Sequence, residues 1–164
     1  MRQVFESDRI IFTEVSELLV RDYLAMVNDE EHVSRYIGGY IGGSREPYTE
    51  AQEIEWVRKT LADKALVYSM IEKESGGFIG NIELMEPADG AAELGIAITG
   101  KQQDRGFGTE AVRALTAYGM QQLGLRRIFL RTNPSNARAI RVYQKCGFRE
   151  YRRTEEHVYM EYFG

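Results

Sequence analysis

The chain has 164 residues, 43% hydrophobic and 28% charged, a balance that fits a single domain able to bury its own core. One Cys excludes an internal disulfide and, with only two His, the four-ligand zinc sites too, so a reducing cytoplasm is the expected setting. No run of eighteen apolar residues occurs and residues 1–7 are charged rather than apolar, which argues against export or membrane spanning; the net charge of −4 argues against broad nucleic-acid binding.

Residues 4–13 read as a first strand with Ile10 and Phe12 on one face, and Ser16 caps a predicted helix over 17–28 whose apolar stripe is Val20, Tyr23, Leu24 and Val27. A doubled Tyr-Ile-Gly-Gly unit at 36–43 predicts a mobile or sharply turned loop. Thr49 with Gln52 makes a capping box, and Ala51, Ile54, Val57 and Leu61 are the predicted buried stripe of a second helix. Three strand-like runs with short turns follow, the pattern of an antiparallel meander. They are 66–73, a run with Phe78, Gly80, Ile82 and Leu84 on one face, and 92–98. In the last, Leu94, Ile96 and Ile98 share one face, and Glu93, Gly95 and Ala97 the other, which is small and carries one carboxylate. Residues 106–123 form a strongly apolar-striped helix, 127–132 a short strand, and about 136–146 another helix closed by Gly147 in a left-handed cap. A hairpin of 148–153 and 158–163 ends the chain. The predicted order β-α-α-β-β-β-α-β-α-β-β is a single α/β domain, 1–164, with a mixed sheet flanked by helices.

Charge is unevenly spread. Between Lys101 and Arg153 lie twelve basic and three acidic residues, a net +9, leaving −13 for the rest of the chain. One part suits an anion and the other a cation.

The anion has a candidate seat. Gln103-Asp104-Arg105-Gly106-Phe107-Gly108-Thr109 follows a strand and opens a helix, where glycines allow close backbone approach and first-turn N–H groups attract a pyrophosphate. The same stretch reads Gly106-Phe107-Gly108-Thr109-Glu110-Ala111, the G-x-G-x-x-A dinucleotide fingerprint, so an NAD-binding oxidoreductase is a rival reading. Against it, antiparallel-looking strands precede the motif, and no acidic residue ends the strand after it. A P-loop is excluded because no G-K-[ST] occurs.

The second constellation runs from Asn136 to Phe148, N-x-x-A-x-x-x-Y-x-K-x-G-F. With Q-x-x-G-x-G opening the earlier helix, it resembles the GNAT superfamily of N-acetyltransferases. Ser7 to Phe12 and the segment 47–56 resemble the branch that acetylates N-terminal alanines of ribosomal proteins. The resemblance implies acetyl-CoA as co-substrate, with its pyrophosphate on the amides of Gln103 to Thr109. It also implies a pantetheine arm paired with the backbone of Ile96, Ala97 and Ile98 and contacted by Asn136, Tyr143 as general acid, and Lys145, Arg138 and Arg141 near the phosphates.

The chemistry of amine acetylation fits these roles. An ammonium acceptor must lose a proton before it attacks, and Glu93, on its small face, is the best candidate base, directly or through a water; a partly dry cleft is expected to raise its pKa. Glu14 and Glu83 are lesser candidates. Backbone N–H near Ile96 or Ala97 is positioned to polarise a thioester carbonyl. Cys146, in a last helical turn, reads as buried filler, and the isolated His32 and His157 imply no metal. Residues 1–100 hold nine basic and nineteen acidic residues, which favours a cationic amine, either a small molecule or a peptide N-terminus. Its contacts are expected from 35–45 and from Glu155, Glu156 and Glu161. A non-catalytic coenzyme A-binding module is a rival, and an exposed edge strand at the terminal hairpin allows a homodimer.

Overall fold

The computed structural model describes residues 1–33 and 46–164; the doubled Tyr-Ile-Gly-Gly unit and the acceptor contacts expected from 35–45 lie outside the described residues. Where one first strand is expected, the chain forms a hairpin, β1 (Gln3–Glu6) against β2 (Ile10–Glu14). Its turn is fixed from far along the chain: Ser7 Oγ and Arg9 N–H donate to Glu110 Oε2 at 2.5 and 2.7 Å, and Arg9 Nε donates to Oε1 at 2.8 Å. A single 3₁₀ turn, Glu17–Leu19, starts where Ser16 Oγ accepts from Leu18 N–H, and leads into α1 (Val20–Val27).

The capping box of α2 (Glu50–Ala62) forms as expected, with both reciprocal bonds between Thr49 and Gln52. Its inward face differs in part: Val57 is buried and Ile54 packs partly buried beside it, as expected. Ala51 and Leu61 are exposed, and the buried residues are Glu53, Val57 and Thr60. These follow i, i+4, i+7 spacing, so the helix is turned about its axis to set Glu53 and Trp56 against a cleft.

The meander is β3 (Leu66–Glu72), β4 (Phe78–Ala88) and β5 (Ala91–Ile98); α3 (Phe107–Gln121), β6 (Arg127–Thr132), α4 (Ala137–Lys145), β7 (Arg149–Arg153) and β8 (Val158–Tyr162) follow. All eight strands share one sheet, in the order β1-β2-β3-β4-β5-β6-β8-β7. Gly147 takes the expected left-handed conformation, φ 90°. One face of the sheet carries α3 and α4 over a core that includes Phe12, Met70, Ile82, Leu94, Leu115, Ile128 and Met160. The other face carries α1 and α2 over Val15, Val20, Tyr23, Met26, Val57 and Phe78.

One pairing is short. β5 and β6 run parallel, and only Ala91, Ala92 and Glu93 have partners, at Arg127, Ile128 and Phe129. β5 continues to Ile98 against β4 alone, so the sheet opens into a wedge after Glu93.

Candidate active site

The wedge is the mouth of a cleft of about 1380 Å³ that crosses the sheet between α4 on one side and α1 and α2 on the other. Its spine is the unpaired edge of β5. Ala97 O lies where a Cβ on Gly80 would fall, 2.0 Å away, and so is turned toward β4. Strand backbone groups alternate in direction, so Ile96 and Ile98, not Ala97, face the open edge. Gln103 Nε2 takes the Ile98 carbonyl at 2.9 Å, which leaves Ile96 as the freest backbone there.

Beyond β5 the chain passes through a 3₁₀ turn, Gly100–Gln102, into the N-terminus of α3. Gly106 caps that helix at φ 81° with no side-chain cap, and the first helical bond runs from Glu110 N–H to Gly106 O. The N–H groups of Phe107, Gly108 and Thr109 therefore have no acceptor among the described residues, the arrangement that suits an anion.

The loop's own side chains mostly build it. Gln103 Nε2 also donates to His32 O at 3.0 Å, and its Oε1 accepts from Arg138 at 2.6 Å. Asp104, at φ 61°, pairs with Arg138 at 3.3 Å. Arg105 does not line the cleft. Its guanidinium pairs with the buried Glu72 at 2.8 Å and lies 4.9 Å from the Phe107 ring centre, with Arg9 at 4.3 Å. The Phe107 ring is core, so only its backbone is free for a ligand. Thus the basic segment spends Arg105, Arg138, Arg127, Arg131 and Arg153 on carboxylates, while Lys145 and Arg141 line the cleft with no ion pair among the described residues.

α4 forms the facing wall. Asn136 caps it, Oδ1 accepting from Ala139 N–H at 3.2 Å, which leaves its NH₂ for other partners. Tyr143 is 7% exposed, lines the cleft, and its hydroxyl makes no hydrogen bond to any described residue. Burial first, and Cys146 second, pushes its pKa up to about 12. Cys146 is buried, as expected; its Sγ donates to Thr109 O at 3.5 Å and burial raises its thiol. Among the described residues no group of three or more His, Cys, Asp and Glu is placed to hold a metal ion.

The opposite wall is acidic. Glu93 lines the cleft, but its Oε2 is 3.4 Å from Arg131 Nε. The carboxyl pushed above the ordinary range beside it is Glu83, by burial first and the Glu93 charge second. Glu83 opposes Gly95 across the ladder, and its Oε1 would be 3.2 Å from a Cβ there; the missing side chain is what makes room for it. Glu14 is paired with Arg2 and lies outside the cleft. Of the terminal acids, Glu155 and Glu156 line the cleft, whereas Glu161 pairs with Arg127 at 2.9 Å.

Sequence reading missed two further groups. Glu53 of α2 lines the cleft at 7% exposure. A buried hydrogen-bond chain runs from Ser16 N–H to Tyr23 OH at 3.1 Å, on to Ser69 Oγ at 2.6 Å, and from there to Asn81 Oδ1 at 2.8 Å. Ser69 gives its one proton to Asn81 Oδ1, so it accepts from the Tyr23 hydroxyl and every bond runs the same way. Asn81 and Glu83 alternate with Ile82 and Leu84 of β4, a signal that would have placed both on Glu93's face.

The dinucleotide reading meets a different geometry: eight residues, including the 3₁₀ turn, separate β5 from α3 in place of a tight turn, and β6 offers Arg131 where an acidic group is required. The model of the "Acetyltransferase (GNAT) domain" family matches residues 9–149. A spermidine N(1)-acetyltransferase of Vibrio cholerae is 31% identical over 121 residues, 72% of this chain and 68% of that one. Among solved structures, a GNAT-family acetyltransferase from Bacillus anthracis superposes with a TM-score of 0.83 at 20% identity, covering 96% of each chain. Spermidine N-acetyltransferase from Vibrio cholerae, in complex with CoA and spermine, follows at 0.81 and 21%, again covering 96% of each.

Proposed function

The chain belongs to the GNAT acetyltransferase family, and from that premise we propose that it acetylates a small cationic amine by direct attack on bound acetyl-CoA in a ternary complex, with 1–164 acting as one catalytic domain. Acetyl-CoA-dependent N-acetylation is the activity of its family. Acetyl-CoA supplies an activated acyl group and a thiolate leaving group. The free amides of Phe107, Gly108 and Thr109, with Lys145 and Arg141 nearby, fit its pyrophosphate, while the open edge of β5 at Ile96 and Ile98 and the NH₂ of Asn136 fit its extended arm.

The observation that carries the reading is the pairing of a buried phenol, without a partner among the described residues, on one wall with carboxylates on the other. Tyr143 keeps its proton at every working pH and holds it for the departing sulfur. Burial that raises a phenol also raises a thiol, as at Cys146, so desolvation of the departing thiolate offsets the raised pKa of the phenol. Glu83 accepts the amine proton: burial and the Glu93 charge raise its proton affinity, the direction a general base requires. Glu93 keeps the site anionic while Arg131 holds it. Ile96 N–H donates to the carbonyl as negative charge develops there.

The acceptor follows from the acidic wall, and the relatives named for spermidine acetylation support a polyamine. The buried, free Cys146 suits a reducing cytoplasm, and the wholly exposed edge strand β7 suits a homodimer. Thiol release from acetyl-CoA, measured across polyamines, aminoglycosides and alanine-terminated peptides, tests the reading. Release that depends on an added amine is expected. Cofactor binding without release across the whole panel would make the chain a coenzyme A-binding module instead.

A further inference from the structure

The mechanism above leaves Glu53 unused. It stands in the first turn of α2, 7% exposed, and makes no hydrogen bond or ion pair with any described residue. A carboxylate removed from water without a partner is costly, and such a group is retained where a ligand brings the missing charge. Glu53 lines the cleft with Trp56 one turn on, a neighbour on the helix surface at i+3. The Trp56 ring stands edge-on to Tyr23 at 5.5 Å between centres, and the charge of Glu53 reaches the Tyr23 hydroxyl. A carboxylate set among aromatic rings is the environment that takes up an ammonium.

The charges of the cleft are divided in the same sense. Its lining Arg and Lys residues, Arg131, Arg138, Arg141 and Lys145, all belong to β6 and α4, and no Arg or Lys of α1, α2, β4 or β5 lines it among the described residues. Glu83 and Glu93 lie on the sheet, and Glu53 on the helix that covers it. The carboxylate that meets the reacting amine is thus distinct from the one on α2.

We infer that Glu53, with Trp56 and Tyr23 beside it, seats a second ammonium of the acceptor, so that the substrate class is an aliphatic di- or polyamine and not a simple monoamine. This deepens the acetyl-transfer reading and rests on it. The matched pair 1,4-diaminobutane and n-butylamine differs by one ammonium on the same carbon chain. At saturating acetyl-CoA, kcat/KM for the diamine should exceed that for the monoamine more than tenfold, and Glu53→Gln should cut that ratio at least tenfold, through KM for the diamine. A ratio near one in the unaltered protein, or one that survives the substitution, overturns the inference and leaves acetyl transfer standing.

A binding measurement tests the subsite without turnover. 1,4-Diaminobutane should raise the Tm of the unaltered protein, and Glu53→Gln should lose that rise while its own unliganded Tm equals or exceeds the original. A lower unliganded Tm would make Glu53 a structural partner, and an undiminished rise would move the second ammonium elsewhere; either sinks the inference. Absence of thiol release with both amines would refute the acetyl-transfer reading instead, and the Tm series would still decide the subsite.

Discussion

Replacing Tyr23 with Phe removes one oxygen from the middle of a buried chain. The hydroxyl of this 1%-exposed residue accepts from Ser16 N–H at 3.1 Å and donates to Ser69 Oγ at 2.6 Å, and Ser69 is wholly buried. Each bond contributes roughly 1 kcal/mol net. The half-buried Ser16 amide recovers part of its loss from water, while Ser69 is left with an acceptor site that nothing fills. The sum is about 1.5–3 kcal/mol, which for a chain of this length lowers Tm by roughly 3–12 °C. Urea unfolding followed by far-UV circular dichroism gives the free energy directly. Pairing the change with Ser69→Ala in a double-mutant cycle should give a coupling of about 0.5 kcal/mol or more. A loss below about 0.5 kcal/mol with additive singles would mean that the chain carries no stability.

Gly106→Glu should weaken acetyl-CoA binding in calorimetry. One unit charge about 5 Å from a phosphate charge costs about 2–3 kcal/mol at an effective dielectric of roughly 20–30, near a hundredfold in affinity, and the left-handed φ adds roughly 1–2 kcal/mol to the cost of folding. Tyr143→Phe should keep cofactor affinity and lower kcat by roughly 10²–10⁴; an unchanged kcat would assign the acid elsewhere. Glu83→Gln should depress kcat more than Glu93→Gln and remove the acid limb of the pH–rate profile, and the reverse ranking would return the base to Glu93. Stability should fall as pH rises above about 10. Tyr23, Tyr68 and Tyr143 are all raised by burial, so above the unfolded value of about 10 the folded state binds more protons and its advantage drains away with each step upward. For Tyr143 that window runs to about pH 12. A urea midpoint that stays level from pH 9 to 11 would contradict this.

What could be read in the sequence was whatever short-range chemistry decides. The Thr49–Gln52 box, the alternation of β5, the striped α3 and the left-handed Gly147 are set within a few residues, and all appear. What escaped depends on partners far along the chain. The 7–9 turn of the first hairpin has no glycine and is held by Glu110, about a hundred residues away. Arg105 turns from the cleft because Glu72 of β3 is there to receive it. Of the two carboxylates of the sheet face, Arg131 arrives from β6 to pair with Glu93, while Glu83 is set apart by its burial. On α2 the apolar residues gave only part of the inward face: Val57 and Ile54 pack against the core, but Ala51 and Leu61 do not, and Glu53 turns inward against the pattern.

The brevity of the β5–β6 ladder has a further consequence. A strand edge left bare attracts other strands, which is why most proteins cover or charge such edges. Here the bare edge runs through the middle of the molecule, recessed between helices. A neighbouring protein's sheet is too broad to enter, whereas a single slender thread of atoms fits. The same gap that admits such a thread therefore keeps this edge, unlike that of β7, out of reach of another sheet.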